Sequence, residues 1–198
     1  SNIPDIITYN CIIFSSMPHD KWHETLKGER MEIVDEDCIE ITGDNSTSKW
    51  NSAFLENIAS DGIHHWKFQV EVQHSSGWAW VIGICQIDEN KPDDKVYIVN
   101  HQWVSGDTYS YAWIAGCSKL NGDGRTKCSD TKYGDHSAKN GDVIDMYLDF
   151  NTLQLSYSMN EKDLGKAFDI KKGKYRAAIE MFSKGEKMRL LSYNYKIR

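Results

Sequence analysis

Residues 141–168 read GDVIDMYLDFNTLQLSYSMNEKDLGKAF and contain two alternating runs separated by a short polar stretch. Apolar and polar side chains alternate over residues 144–150 and again over residues 153–157. Successive side chains of a β-strand point to opposite faces, so each run predicts a strand with one face in a core. Asn151 and Thr152 predict the turn between them. The segment carries no recognisable catalytic group, and we therefore interpret it as antiparallel scaffold.

The same alternation recurs along the chain. Residues 66–72 and 175–181 place apolar side chains at every second position, and residues 77–85 (GWAWVIGIC) are apolar on both faces, as in a central strand. Helical periodicity is weak, and only residues 18–26 predict one short helix, with Pro18 near its first turn. Many short strands separated by turns predict an all-β fold with little or no helix. We expect a bent antiparallel β-sandwich of two sheets.

Length, composition and charge exclude several classes of function. The chain has 198 residues, of which 40% are hydrophobic and 12% aromatic, enough for one sizeable core. The formal net charge is −6 and the 23 Lys and Arg residues are scattered, so the basic stripe of a nucleic-acid-binding protein is missing. An acidic surface disfavours an anionic membrane, and no apolar run approaches transmembrane length. We expect neither nucleic acid nor a membrane as a partner.

Cysteine and histidine spacing argues against metal sites. The five cysteines are odd in number, and no two have C-x-x-C spacing. Adjacent His64 and His65 would point to opposite faces of a strand. Residues 121–130 (NGDGRTKCSD) resemble a calcium loop but place Arg125 at a ligand position. We expect the protein to bind no metal and no cofactor. We also expect it to lie in a reducing compartment, which is the cytoplasm or, as the alternative, the nucleus.

Catalytic motifs are also missing from the sequence. No serine lies in a G-x-S-x-G elbow, and no cysteine has an activating histidine nearby in sequence. Glu71 and Asp149 could form the carboxylate pair of a glycosidase, but both alternate with apolar residues, which is typical of a solvated strand face. We therefore predict that the chain is not an enzyme.

Five segments, taken in order, resemble the SPRY domain family. They are DGIHHWKFQVEV (61–72), WVIGI (80–84), SYAWIAG (110–116), residues 133–168 with their Tyr-Gly, Gly-Asp, Leu-Asp and Leu-Gly-x-Ala-Phe elements, and KGKYRAAIEMFSKGEKMRLL (172–191). The nearest resemblance is to the SPRY domain–SOCS box proteins and the Ran-binding-protein-M group. It implies a single domain over residues 1–198, with a SPRY-like core over 31–193 and an N-terminal extension over 1–30 that packs on it.

The resemblance also implies a non-enzymatic module that binds a protein or peptide on loops at one end of the sandwich. Such a module would serve as the monomeric substrate- or partner-recognition domain of a larger protein, such as a ubiquitin-ligase adaptor. Polar loops that carry aromatic residues favour binding independently, because aromatic side chains contribute large contact areas at low entropic cost. The predicted partner-binding residues are Gly43, Asp44, Asn45, Ser46, Trp50, Tyr97, Trp103, Phe182, Ser183 and Lys184.

A lectin-like sandwich is the alternative function. Jelly-roll lectins share the expected architecture, so the fold alone does not separate a glycan-binding module from a protein-binding one. In that alternative a sugar ring would stack on Trp50 or Trp103.

Overall fold

The computed structural model describes residues 19–43, 50–72, 80–87, 110–122 and 132–197. This part of the chain contains thirteen β-strands and no helix. The strands are Trp22–Lys27 (β1), Met31–Asp35 (β2), Cys38–Ile41 (β3), Asn51–Ala59 (β4), Ile63–Val72 (β5), Val81–Gln86 (β6), Ser110–Ile114 (β7), Lys119–Gly122 (β8), Val143–Asp149 (β9), Gln154–Met159 (β10), Lys162–Asp169 (β11), Tyr175–Met181 (β12) and Lys187–Lys196 (β13).

The strands form two antiparallel sheets that pack face to face. The six-stranded sheet has the order β1-β4-β12-β6-β7-β8, and the seven-stranded sheet has the order β11-β10-β9-β5-β13-β3-β2. Side chains from both sheets meet in one buried cluster. The prediction of an all-β antiparallel sandwich is confirmed.

Alternation placed the core residues correctly. Trp66, Phe68 and Val70 of β5 are fully buried, while His65 and Lys67 at the alternate positions are only half-buried on the outer face of the seven-stranded sheet. The alternate apolar positions of β9, β10 and β12 join the same core. Side chains of a strand alternate between its two faces whatever the strand packs against. The set of residues that share a face can therefore be predicted from the sequence.

The short helix expected over residues 18–26 is wrong where the structure describes it. Residues 22–27 are strand β1, which pairs with β4 at the edge of the six-stranded sheet. Trp22 is buried against Phe68, and its indole Nε1 donates a hydrogen bond of 2.7 Å to the Asp37 carbonyl. These tertiary contacts override a weak local helical signal.

Strand β1 lies within the segment that the sequence assigns to an N-terminal extension. Its pairing with β4 makes the described part of that segment an integral edge of the sandwich. Asp20, just before β1, is also completely buried.

Two connections between the sheets begin and end on neighbouring strands at one end of the sandwich. The connection from β3 to β4 passes from the seven-stranded to the six-stranded sheet, and the connection from β12 to β13 passes back. They are neighbours because β3 pairs with β13 while β4 pairs with β12. Met181 lies opposite Asn51 at this end, and Tyr175 lies opposite Ala59 at the other.

Candidate functional site

The turn between β12 and β13 is tied to the end of β3. Gly185 donates its amide to the Ile41 carbonyl at 2.7 Å, and Ile41 donates to the Glu186 carbonyl at 3.0 Å. Gly185 has a φ of 82°, which favours glycine because a side chain would be strained there. The β12–β13 turn therefore lies directly beside the end of β3.

A buried carboxylate organises this turn. Glu186 is completely buried, and its Oε2 accepts hydrogen bonds from the Phe182 amide at 2.8 Å and the Ser183 amide at 2.9 Å. The Glu186 amide in turn donates to the Ser183 carbonyl at 3.1 Å. Hydrogen bonds to an ionised acceptor are among the stronger ones in proteins. They hold the backbone of Phe182 and Ser183 in one conformation without using any group that faces solvent.

Two aromatic side chains meet across the connections. The rings of Trp50 and Phe182 have centroids 5.3 Å apart and planes inclined by 59°. Both residues are half-buried, whereas Met181 beside Phe182 is fully buried. Lys184 is exposed on the same turn. The surface therefore offers a partly exposed apolar pair with a cation next to it.

Gly43 completes the described part of this surface. Its amide donates to the Arg30 carbonyl at 3.3 Å, and Arg30 Nη2 lies 3.5 Å from the Gly43 carbonyl oxygen. A Cβ at position 43 would lie 2.6 Å from Arg30 Cγ, so the close approach requires glycine. Arg30, which is 7% exposed, supports the loop from below.

Half of the predicted site residues can be compared with the structure. Gly43, Trp50 and residues 182–184 lie together at the Met181 end of β12. The rest lie outside the described residues: Asp44, Asn45, Ser46, Tyr97 and Trp103.

The segment that carries Tyr97 and Trp103 begins and ends at the other end of the sandwich. Gln86 pairs with Tyr175, and Ser110 pairs with Cys85 beside it. The seven residues of β12 from Tyr175 to Met181, which are six residue steps, separate these anchor points from the Phe182 turn by about 20 Å of strand.

Arg30 and Glu186 were not predicted from the sequence. Each is a charged residue in a polar turn, and a charged residue in a turn normally lies at the surface. Tertiary contacts bury them: Arg30 packs beside Gly43, and Glu186 lies between the end of β3 and the β12–β13 turn. The sole hint in the sequence is the Gly185-Glu186 pair after a strongly alternating strand, which indicates a turn but not a buried carboxylate.

The carboxylate pair considered for catalysis does not form. Glu71 bonds to Arg189, and the Asp149 side chain accepts hydrogen bonds from Asn151 in the turn after β9. Ile63 pairs with Asp149, and Glu71 lies eight residue steps further along β5, so the two positions are about 26 Å apart along the sheet. Residues separated by this distance cannot act on one glycosidic bond.

The described ranges also show no metal centre. Within them, no three His, Cys, Asp or Glu side chains are arranged to hold an ion. His64 is buried and His65 faces outward, as their adjacency on a strand predicts. Cys38 is a free thiol, and burial together with the nearby Glu71 raises its pKa to about 12. A thiol with this pKa is a poor nucleophile at neutral pH. Across the same ranges, no helix is long and apolar enough to cross a bilayer.

Two antiparallel sheets packed face to face, with an aromatic pair at one end, define the molecule as a β-sandwich. The sequence model of the SPRY domain matches residues 64–194. The chain therefore belongs to the SPRY domain family. SPRY domains are generally protein-interaction modules rather than enzymes.

Three of the solved structures that share this fold illustrate the likeness. The SPRY domain of human HERC1 superposes with a TM-score of 0.66 at 16% identity, covering 89% of this chain and 99% of that one. The PSpry domain of TRIM65 superposes with a TM-score of 0.56 at 8% identity, covering 87% of this chain and 92% of that one. The NEUZ (NHR) domain of Neuralized from Drosophila melanogaster superposes with a TM-score of 0.60 at 10% identity, covering 88% of this chain and 92% of that one. Identities this low show a shared fold only. No curated protein sequence matched the chain.

Proposed function

We propose that this SPRY domain recognises a protein or peptide partner on the end surface formed by Gly43, Trp50 and residues 182–184. The observation that carries the proposal is the Trp50–Phe182 pair, at a centroid distance of 5.3 Å, which joins the two inter-sheet connections while both rings stay half-exposed. Aromatic residues in rigid surroundings are the usual anchors of protein interfaces, because little conformational entropy is lost when they are covered.

The surroundings of the pair favour a preformed surface. The buried Glu186 carboxylate holds the amides of Phe182 and Ser183, and Gly43 packs directly on Arg30. A surface that is ordered before binding loses less entropy on association than a mobile one.

The cellular role is part of the same proposal. We infer that the domain is a monomeric recognition module of a larger protein, which acts as a ubiquitin-ligase adaptor in the cytoplasm or nucleus. Support comes from the family and from the free thiols of Cys38, Cys85 and Cys117. A SOCS box, RING or LisH domain in the full-length protein would support the adaptor role. Ubiquitination of a captured partner that depends on the domain is the direct test.

Affinity capture from the source cell tests the surface. Trp50→Ala combined with Lys184→Ala should abolish capture of specific partners, with the melting temperature close to that of the wild type. The matched control is Ile58→Ala with Lys171→Ala, which removes one exposed apolar and one exposed lysine side chain at the opposite end of the sandwich. Full capture by the first variant would exclude the surface. Clean binding to a glycan array, lost in Trp50→Ala, would instead support the lectin alternative.

A further inference from the structure

A second surface of the molecule has features of a binding site and is separate from the Trp50–Phe182 end. It is an open groove of about 480 Å³ on the outer face of the seven-stranded sheet, over β5, β9, β10 and the turn that leads into β11. Its lining includes one lysine, one histidine, one tyrosine and three carboxylates. A concave surface with several convergent charged side chains is a candidate ligand site.

Strand register builds the floor of the groove. His65 lies opposite Tyr147 and Lys67 lies opposite Asp145, all four on the face away from the core. The rings of His65 and Tyr147 stack with centroids 4.3 Å apart and planes 13° apart. Their stacking forms a half-buried aromatic floor across two neighbouring strands.

Asp145 and Lys67 balance each other's charge within this floor. The Asp145 side chain is only 5% exposed, and its Oδ1 lies 3.4 Å from Lys67 Nζ. The same carboxylate accepts hydrogen bonds from His65 Nε2 at 2.7 Å and from Ser158 Oγ at 3.1 Å. A buried carboxylate with three such partners is satisfied. It fixes the floor, and with Lys67 it adds no net charge to the groove.

Two exposed carboxylates on the rim remain unbalanced. Within the described ranges, neither Glu161 nor Asp163 forms an ion pair, although Asp163 accepts the Gly165 amide at 2.8 Å. The neighbouring lysines are turned to other partners: Lys162 pairs with Asp135 and Lys166 with Asp169. The groove is therefore acidic, in a chain whose formal net charge is −6. Charge complementarity favours a cationic ligand.

The backbone at Glu161 fits this assignment. Asn160 and Glu161 form the two-residue turn between β10 and β11 with φ values of 51° and 66°. Glycine is the usual second residue of such a turn, since L side chains rarely adopt this conformation. A glutamate here carries strain that glycine would relieve, and its carboxylate stands over the groove.

We propose that this groove binds an arginine side chain in a basic segment of a partner protein. The planar guanidinium would stack on the His65–Tyr147 floor and donate hydrogen bonds to Glu161 and Asp163. An ammonium group has three N–H donors, but it lacks the flat surface for stacking and the fixed, planar arrangement of donors that a guanidinium presents. An anionic group would be repelled by the rim, and a neutral sugar leaves both carboxylates without a counter-charge.

Nuclear magnetic resonance titration of the whole domain tests the proposal. The probe is the peptide acetyl-Gly-Arg-Gly-Arg-Gly-amide, compared with the same peptide carrying Lys or Glu in place of Arg. The arginine peptide should shift the amide signals of Tyr147, Glu161 and Asp163, and added salt should weaken its binding. The lysine peptide should bind more weakly, and the glutamate peptide should leave these signals unchanged.

Charge-matched variants separate the groove from general electrostatics. Glu161→Gln with Asp163→Asn should weaken the arginine peptide about tenfold, the loss expected for two exposed ion pairs. Glu24→Gln with Glu32→Gln changes the net charge equally at exposed positions of β1 and β2 and should leave the affinity nearly unchanged. Glu161→Gly should weaken binding while keeping or raising the melting temperature, because it relieves the positive φ. A purely structural role for Glu161 predicts no loss of binding.

Three results would overturn the assignment. One is equal arginine-peptide affinity for the wild type and the Glu161→Gln, Asp163→Asn variant. Another is a set of shifted signals confined to residues outside the groove. The third is a neutral oligosaccharide such as maltotriose that shifts Tyr147 and Glu161 when the arginine peptide does not, which would make the groove a sugar site. None of these outcomes bears on the Trp50–Phe182 surface, whose capture experiment uses different variants.

Discussion

The indole Nε1 of Trp66 donates a hydrogen bond of 2.8 Å to the Oδ2 of Asp20, and both residues are completely buried. Asp20 Oδ1 also accepts the amides of Asn57 at 2.9 Å and Lys21 at 3.0 Å. One carboxylate thus joins the segment before β1 to strands β4 and β5. Burial raises the pKa of Asp20, and these three hydrogen bonds oppose the shift.

Trp66→Ala should reduce the free energy of unfolding by about 3–5 kcal/mol, because it leaves a large cavity between the sheets. Urea unfolding followed by far-ultraviolet circular dichroism measures the loss. Val34→Ala, at a 45% exposed position of β2, is the control and should change stability little. A wild-type unfolding midpoint for Trp66→Ala would contradict the burial of this residue.

Asp20→Ala should cost about 2–3 kcal/mol, because it leaves buried N–H donors without an acceptor. A double-mutant cycle with Trp66→Phe, which removes only the indole N–H and the second ring, isolates the contact between the two side chains. We expect a coupling energy of about 1–2 kcal/mol from the cycle. Additive losses would mean that Asp20 acts through Asn57 and Lys21 instead.

His64 should make stability depend on pH. Its Nε2 lies 2.8 Å from the Asp61 carbonyl and donates to it, and in the neutral ring Nδ1 accepts from the Tyr193 hydroxyl at 2.8 Å. Burial lowers the pKa of His64 below its ordinary value of 6.5. Below about pH 6.5 the unfolded chain therefore binds a proton on His64 more readily than the folded chain does. The free energy of unfolding should be highest above about pH 6.5 and should decrease as the pH drops below it.

Unfolding midpoints between pH 8 and pH 5 measure this effect. His64→Gln is the matched control, because it removes the titrating ring and leaves Asp20 and the other carboxylates in place. The difference between wild type and variant should shrink as the pH falls. A difference that stays constant across this range would show that His64 titrates normally in the folded protein.

Glu186→Ala should cost about 2–3 kcal/mol and also weaken partner capture, because the amides of Phe182 and Ser183 lose their buried acceptor. Hydrogen exchange of these two amides should accelerate more than that of β5 amides. Ser183→Ala keeps both amides bound and serves as the control. Slow exchange at both positions in Glu186→Ala would mean that another group holds the turn.

Metal removal should leave the melting temperature of the protein unchanged. The calcium-like segment 121–130 lacks EF-hand spacing, and the described ranges hold no three-residue ligand cluster. Differential scanning fluorimetry with EDTA, calcium or zinc should give one melting temperature. A rise of several degrees with either ion would reveal a metal site.

Local patterns accounted for most of the scaffold. The alternation in β5, β9, β10 and β12 identified their buried faces, and the ordered motifs over 61–191 identified the family. The same reasoning failed for two charged residues. Asp20 and Glu186 are buried, although a charged residue in a polar stretch normally lies at the surface. The weak helical pattern over residues 18–26 was also misleading, because residues 22–27 form strand β1.

The sequence by itself determined which side chains share a strand face, because that periodicity depends only on adjacent residues. It also predicted that Trp50 and Phe182 lie outside the strands, as they do. Only the tertiary structure decided that Trp50 contacts Phe182, and that Tyr147 and Glu161 line the same groove as His65. Those contacts join residues far apart in the chain, and strand order and register between sheets depend on the packing of the whole core rather than on any local pattern.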